Sequence, residues 1–263
     1  MIIDSHMHVG TIDDLDMPDY LVIPAMERYG IAFGLLSNIE GGEFGKYGRI
    51  PDNLQKNQRE ANDRVLELVL HNPSALAGQF WIRPALEGYA PWIEQYLRTN
   101  SSYFCAIKFH PFRANMNITH ENLIPYINLA ERLSLPFVVH TATDEFSAPE
   151  FVLEAARRNP GVNFILVHMG LGTDNGMAIE CIRSLPNIYG DTTWVSPESV
   201  LRAIGECGSE KIIFGTDSPI DGIDTYSKYS DLLTRLDSIA PHDRENVLFN
   251  NSIRLFNLAI PGV

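Results

Sequence analysis

The feature that most constrains the fold is a recurrence of short apolar runs, each followed by a stretch with helical spacing. The runs are Ile2–Ile3, Ile31–Leu36, Leu76–Ile82, Phe104–Phe109, Pro136–Val139, Asn163–Val167, Ile188–Gly190 and Lys211–Phe214. Most begin roughly 25–30 residues after the one before, the length of a strand-plus-helix unit. Runs such as Phe164–Val167 are apolar at every position, as suits strands covered on both faces of a parallel sheet. The segments between them carry helix signals. Ser147-Ala148-Pro149-Glu150 reads as a capping box with Pro in the first turn, ahead of Phe151–Ala156. Ser196-Pro197-Glu198-Ser199 opens another helix, and Gly208 is placed to end it. Ala61–Leu70 has the i, i+3, i+4 apolar spacing of a packed helix. Eight such units in 263 residues predict one α/β domain over residues 1–263, a (β/α)₈ TIM barrel. A doubly wound open sheet is the alternative. The Gly-rich stretch Gly41–Gly48 reads as a long loop after the second strand, a candidate lid.

Charge narrows the partners. Lys plus Arg is 20 against 33 Asp plus Glu, a formal net charge of −13. Nucleic acid and anionic membrane both require a cationic footprint, so neither is expected. A small-molecule substrate is expected instead, and even an anionic one is compatible with a local cation. Formation of a homo-oligomer is left open. Cys105, Cys181 and Cys207 are odd in number and contain no C-x-x-C pair. They read as free thiols in a reducing cytoplasm. No run of eighteen apolar residues suggests a membrane span, and the start MIIDSHMHVG lacks a basic, then apolar leader.

The polar residues that carry chemistry fall at the C-terminal ends of the predicted strands, where barrel enzymes build their sites. Strand alternation puts His6 and His8 on one face, so two imidazoles can chelate one divalent ion. His140 ends the fifth strand and His168 the sixth. Asp217 ends the eighth, which adjoins the first in a closed barrel. As a turn residue it would bear no relation to the histidines; in a barrel it shares their ring. Arg83 ends the third strand and could grip a substrate carboxylate, or form a rim ion pair. Trp194 could wall the pocket or cover the rim.

The set Asp4-x-His6-x-His8, His140, His168-Met169-Gly170 and Gly215-Thr216-Asp217-Ser218-Pro219 resembles the amidohydrolase superfamily. The branch it looks like is the amidohydrolase-related one that includes aminocarboxymuconate-semialdehyde decarboxylase. Ile107-Lys108-Phe109-His110-Pro111 and the closing segment Asn246–Phe256 look like that branch too. The resemblance implies a metal held by His6, His8, His140 and Asp217, with His168 as acid/base or substrate-polarising group. In binuclear members the sixth-strand His binds a second metal and a carboxylated Lys on strand four bridges the pair. Lys108 could play that part, or face substrate as an ammonium; His110 shares its face and is a rival for the mouth.

Three neutral imidazoles and a carboxylate leave a divalent cation with net positive charge and room for water. The expectation is a metal-dependent hydrolase of a small ester, lactone or amide, in which Asp217 and His168 are catalytic. The alternative is a metal-dependent non-oxidative decarboxylase of an unsaturated or aromatic acid; a third reading is an inactive metal- or ligand-binding barrel. Zinc suits an imidazole-rich site, with manganese or iron also compatible, and one ion is expected rather than two.

Overall fold

The computed structural model describes residues 1–46 and 48–260. Tyr47, inside the predicted loop, and 261–263 lie outside the described residues. Eight parallel strands follow the order of the chain: β1 (Ile3–Ile12), β2 (Phe33–Asn38), β3 (Leu76–Trp81), β4 (Phe104–Phe109), β5 (Phe137–Ala142), β6 (Phe164–Leu171), β7 (Ile188–Asp191) and β8 (Ile212–Ile213). Each pairs with its sequence neighbour. A ninth strand, Leu15–Met17, folds back antiparallel on the end of β1.

The sheet closes on itself. Ser5 N–H donates to the carbonyl of Phe214 at 2.9 Å, Asp217 N–H to that of His6 at 2.8 Å, and His8 N–H to that of Ser218 at 3.1 Å. Met7 and Ser218 form a parallel bridge. These bonds join the first strand to the segment running on from the eighth, which excludes the open doubly wound sheet and bears out the barrel.

Strand alternation divides the apolar residues into two layers. Ile3, Phe33, Leu35, Ala77, Ala106, Val138, Ile165, Val167, Tyr189 and Ile213 form one cluster, together with Leu255 and Phe256. These are the inward residues of the lower barrel, and the C-terminal helix Asn251–Phe256 supplies the plug beneath them. Their alternates, such as Leu36, Phe80, Ile107, Val139, Leu166 and Phe214, pack outward in a second cluster against the helices. Full burial of each such side chain is worth about 1.5–3 kcal/mol. Because the apolar plug fills the floor, the polar inward positions are concentrated at the opposite, C-terminal end.

The principal helices begin and end largely as local chemistry dictates. Gln58–His71 carries a capping box, in which the Asn57 side chain accepts from Glu60 N–H and Glu60 accepts from Asn57 N–H. Ser196 caps Pro197–Cys207 and Gly208, at φ +93°, ends it, as expected. The Ser147 capping box does not form. Pro149–Arg158 starts one residue later, with Ala148 at the cap, and the Ser147 hydroxyl is buried without a partner. The Gly41–Gly48 segment is less open than expected: a 3₁₀ turn at Ile39–Gly41 leads into a short ladder of Phe44–Gly45 with Gly48–Arg49. Glu43 lies within it, buried, and its Oε1 accepts from the N–H groups of Ala85 and Leu86. Among the described residues no helix is long and apolar enough to cross a membrane.

Candidate metal centre

β1 delivers His6 and His8 into the barrel mouth on alternate positions, both buried. Their Nε2 atoms lie 3.0 Å apart. Each ring is held from behind. Nδ1 of His6 donates to Oδ2 of Asp191 at 3.0 Å, with Thr193 Oγ1 at 3.1 Å. Nδ1 of His8 meets the Ser37 hydroxyl at 2.8 Å. The Asp191 carboxylate accepts from Nδ1 of His6 and so leaves the Nε2 lone pair of that ring facing the cavity.

Asp217 faces them from beyond β8, with a backbone in the left-handed region at φ +63°. Its Oδ1 is 3.0 Å from His6 Nε2 and 3.3 Å from His8 Nε2, yet it is buried and accepts no hydrogen bond. Its Oδ2 accepts the indole N–H of Trp194 at 2.7 Å. Trp194 and His168 also have left-handed backbones, at φ +58° and +66°. Such conformations cost on the order of 1–3 kcal/mol for residues with side chains and cluster where a structure must aim a group.

His168 follows on β6. Its backbone N–H donates to Asp191 Oδ1 at 2.8 Å, and Nδ1 lies 3.2 Å from the Thr193 carbonyl, which makes Nδ1 the donor. Nε2 is thereby an acceptor, 3.9 Å from Asp217 Oδ2. Ligand atoms of His6, His168 and Asp217 all lie within 4.8 Å of one another. His8, though close to His6 and Asp217, is not in that trio, and neither is His140. Its ring stacks flat on His110, with centroids 3.8 Å apart, and meets His168 edge-on at 4.8 Å.

Lys108 is buried, and its Nζ lies 2.8 Å from His6 Nε2. His110, two residues on, sits between His140 and Trp81. Arg83 does not present a free cation to the mouth. It is buried, its Nη1 pairs with Glu87 Oε1 at 2.7 Å and with the Lys56 carbonyl, and its Nη2 donates to Gln55 Oε1 at 2.8 Å. Of the two roles considered for Arg83, the ion pair is the one formed, and it is an internal one.

Burial holds His6, His110 and His140 well below the usual imidazole range, and lowers His8 and His168. Burial opposes ionisation of Asp217, but positive charge on the facing His6, His168 and His8 outweighs it and holds the carboxyl well below the ordinary range. Burial brings Lys108 down to about 8, against the pull of Asp217 and Asp191. The site thus sets imidazoles of lowered basicity against a carboxylate whose ionised form depends on positive charge beside it. Two imidazole nitrogens and a carboxylate oxygen this close require positive charge among them, which a shared proton, the Lys108 ammonium beside His6 Nε2 or a divalent ion can supply. A divalent ion binds such atoms at about 2.0–2.2 Å, which sets adjacent ligands roughly 3 Å apart. The unpaired Asp217 Oδ1 and the 3.0–3.3 Å spacings fit that group.

Sequence reasoning missed Asp191 and Thr193, which orient His6 and His168 together, and Ser37 behind His8. Asp191 stands at the end of β7, as His140 and His168 stand near the ends of theirs, but a lone Asp after Ile188-Tyr189-Gly190 has no local signature. Trp194 proves to be both rim and site: 36% exposed, it closes on Asp217.

The barrel has close counterparts among solved structures. A 2,6-dihydroxybenzoate decarboxylase from Rhizobium superposes with a TM-score of 0.73 at 20% identity, over 97% of this chain and 98% of that one. A dihydroxybenzoic acid decarboxylase from a Polaromonas species, solved with manganese and the inhibitor 2-nitroresorcinol, gives 0.73 at 19% identity, over 97% and 96%. A probable 2-pyrone-4,6-dicarboxylic acid hydrolase from Acinetobacter baumannii, with citric acid bound, gives 0.67 at 14% identity, over 98% and 99%. No curated protein matches the sequence significantly. The family model described as Amidohydrolase matches residues 3–258, from the first residue of β1 to just past the helix that plugs the barrel floor. With the barrel, the imidazole-carboxylate cluster and this match in agreement, the chain belongs to the amidohydrolase family of metal-dependent enzymes.

Proposed function

We propose that this enzyme hydrolyses a small ester, lactone or amide, with one divalent ion held by His6, His8, Asp217 and His140. One observation carries the reading. The two oxygens of Asp217 face different partners: Oδ1 the Nε2 atoms of His6 and His8, Oδ2 the Nε2 of His168 at 3.9 Å. A carboxylate so divided can bind a cation on one side and handle a proton on the other. The ion, zinc by the imidazole-rich donor set, supplies Lewis acidity toward a carbonyl oxygen and toward water.

The chain's own groups do the rest. Asp217 accepts the proton of the attacking water and delivers it to the departing oxygen or nitrogen. His168, with Nδ1 committed to the Thr193 carbonyl, accepts a hydrogen bond at Nε2 and so aims the water. Asp191 fixes the His6 ring and the His168 backbone at once. His140, on β5, would be the fourth ligand. The Lys108 ammonium faces the substrate and is not a bridging carbamate. A second reading, decarboxylation of an aromatic or unsaturated acid, is favoured by that same Lys108, a buried cation able to meet a substrate carboxylate. Free thiols at Cys105, Cys181 and Cys207 support a cytoplasmic setting.

Zinc-reconstituted enzyme is to be screened on lactones, esters, amides and carboxylated aromatics in ¹⁸O-labelled water. Hydrolysis incorporates ¹⁸O into the acid product. Release of CO₂ without labelled acid overturns the hydrolytic reading in favour of the second.

A further inference from the structure

We propose that Trp194 is a positioning residue that assigns the two oxygens of Asp217 to their separate tasks. The inference rests on the reading of Asp217 as a metal ligand and goes beyond it to ask what keeps that ligand monodentate. A free carboxylate turns about its Cβ–Cγ bond and can offer both oxygens to one cation. Here the turn is blocked. The indole Nε1–H donates to Oδ2 at 2.7 Å, a charge-assisted bond of the stronger kind. Oδ2 is thereby held away from the imidazole pair, and Oδ1 is left as the one unpaired oxygen, 3.0 Å from His6 Nε2.

The indole is itself clamped. Its own backbone N–H donates to the Tyr229 hydroxyl at 3.2 Å, and that hydroxyl donates to the Thr216 carbonyl at 2.9 Å, one residue before Asp217. Lys228 Nζ lies over the ring at 4.7 Å and pairs with Asp221 at 2.7 Å on the loop that follows Asp217. Trp194 is thus tied at three points to the segment bearing Asp217, and both residues hold left-handed backbones. A rim tryptophan serving only as a wall requires neither the hydrogen bond nor the second tether.

Two variants separate donor from shape: Trp194→Phe, and replacement of Trp194 by β-(3-benzothienyl)alanine, which keeps the bicyclic outline and removes the N–H. The readouts are Zn²⁺ affinity by chelator competition and the visible spectrum of the Co²⁺-loaded protein. Both variants are expected to bind Zn²⁺ about 10–100-fold more weakly, the usual effect of losing a partner behind a ligand. In both, Co²⁺ absorption should weaken, because a carboxylate free to bind through two oxygens raises the coordination number. Unchanged affinity and spectrum in the benzothienyl variant overturn the proposal, whatever Trp194→Phe does. Asp217→Asn tests the underlying reading separately: if it binds Zn²⁺ as tightly as the parent, Asp217 is no ligand and the reading itself fails.

Discussion

Nδ1 of His6 donates to Oδ2 of Asp191 at 3.0 Å, joining the first and seventh strands across 185 positions of sequence. The bond does more than anchor a ring. It fixes the His6 tautomer, so that Nε2 offers a lone pair to the cavity, where the Lys108 Nζ lies at 2.8 Å. The same carboxylate holds the His168 backbone through its other oxygen, so the two histidines are aligned by one group.

Asp191→Asn should therefore weaken Zn²⁺ binding by about 10–100-fold while the barrel stays folded. Chelator competition alongside circular dichroism checks it. Parent-like affinity in a folded variant would remove Asp191 from the support of the site.

His168→Asn should keep about one equivalent of metal but lower kcat by roughly 10²–10⁴, the scale of a lost acid/base group. Metal analysis and steady-state kinetics on the same preparation decide it. Loss of metal would make His168 a ligand, a role that its place beside His6 and Asp217 leaves geometrically available.

Lys108→Ala should leave the metal content at one ion per chain and weaken substrate binding or turnover. A bridging role demands conversion of the ammonium to a carbamate anion, since two dications in one pocket need more negative charge than Asp217 provides. Two ions in the parent, lost in the variant and restored by bicarbonate or short carboxylic acids, would establish the bridge.

Glu43 gives a pH dependence separate from the metal. Burial raises its carboxyl from 4.5 to about 7, against the Leu86 N–H and the Arg83 charge that favour the anion. The folded state thus binds the proton more tightly than the unfolded chain. Stability from this group is full below pH 4.5 and is lost as pH rises through 7. Glu43→Gln keeps an acceptor for Ala85 and Leu86 but cannot ionise. The variant should gain on the parent in denaturant titrations as pH goes from about 5 to 8. A constant difference across that range would contradict the assignment.

Much of this architecture is legible in the sequence because it follows from periodicity. The apolar runs give the strands, and alternation gives the shared face of His6 and His8. Barrel closure brings Asp217 to them. What stays hidden depends on contacts between distant loops. Arg83 reads as either a substrate clamp or a rim ion pair until Gln55, Lys56 and Glu87 are seen to surround it. His140 and His110 read as independent mouth residues, whereas their rings stack. The Trp194–Asp217 bond joins two residues with left-handed backbones, and no pattern of residue types announces them. The Ser147 box fails by one residue because Pro149 is the first helical residue and Ala148 takes the cap.

The central claim is that His6 and Asp217, brought together by barrel closure, hold one ion. The direct measurement is elemental analysis of purified His6→Ala and Asp217→Ala beside the parent, after reconstitution with Zn²⁺ and removal of excess metal. About one zinc per chain is expected in the parent and a large loss in both variants, with activity falling in step. Stoichiometric zinc retained in both variants would contradict it.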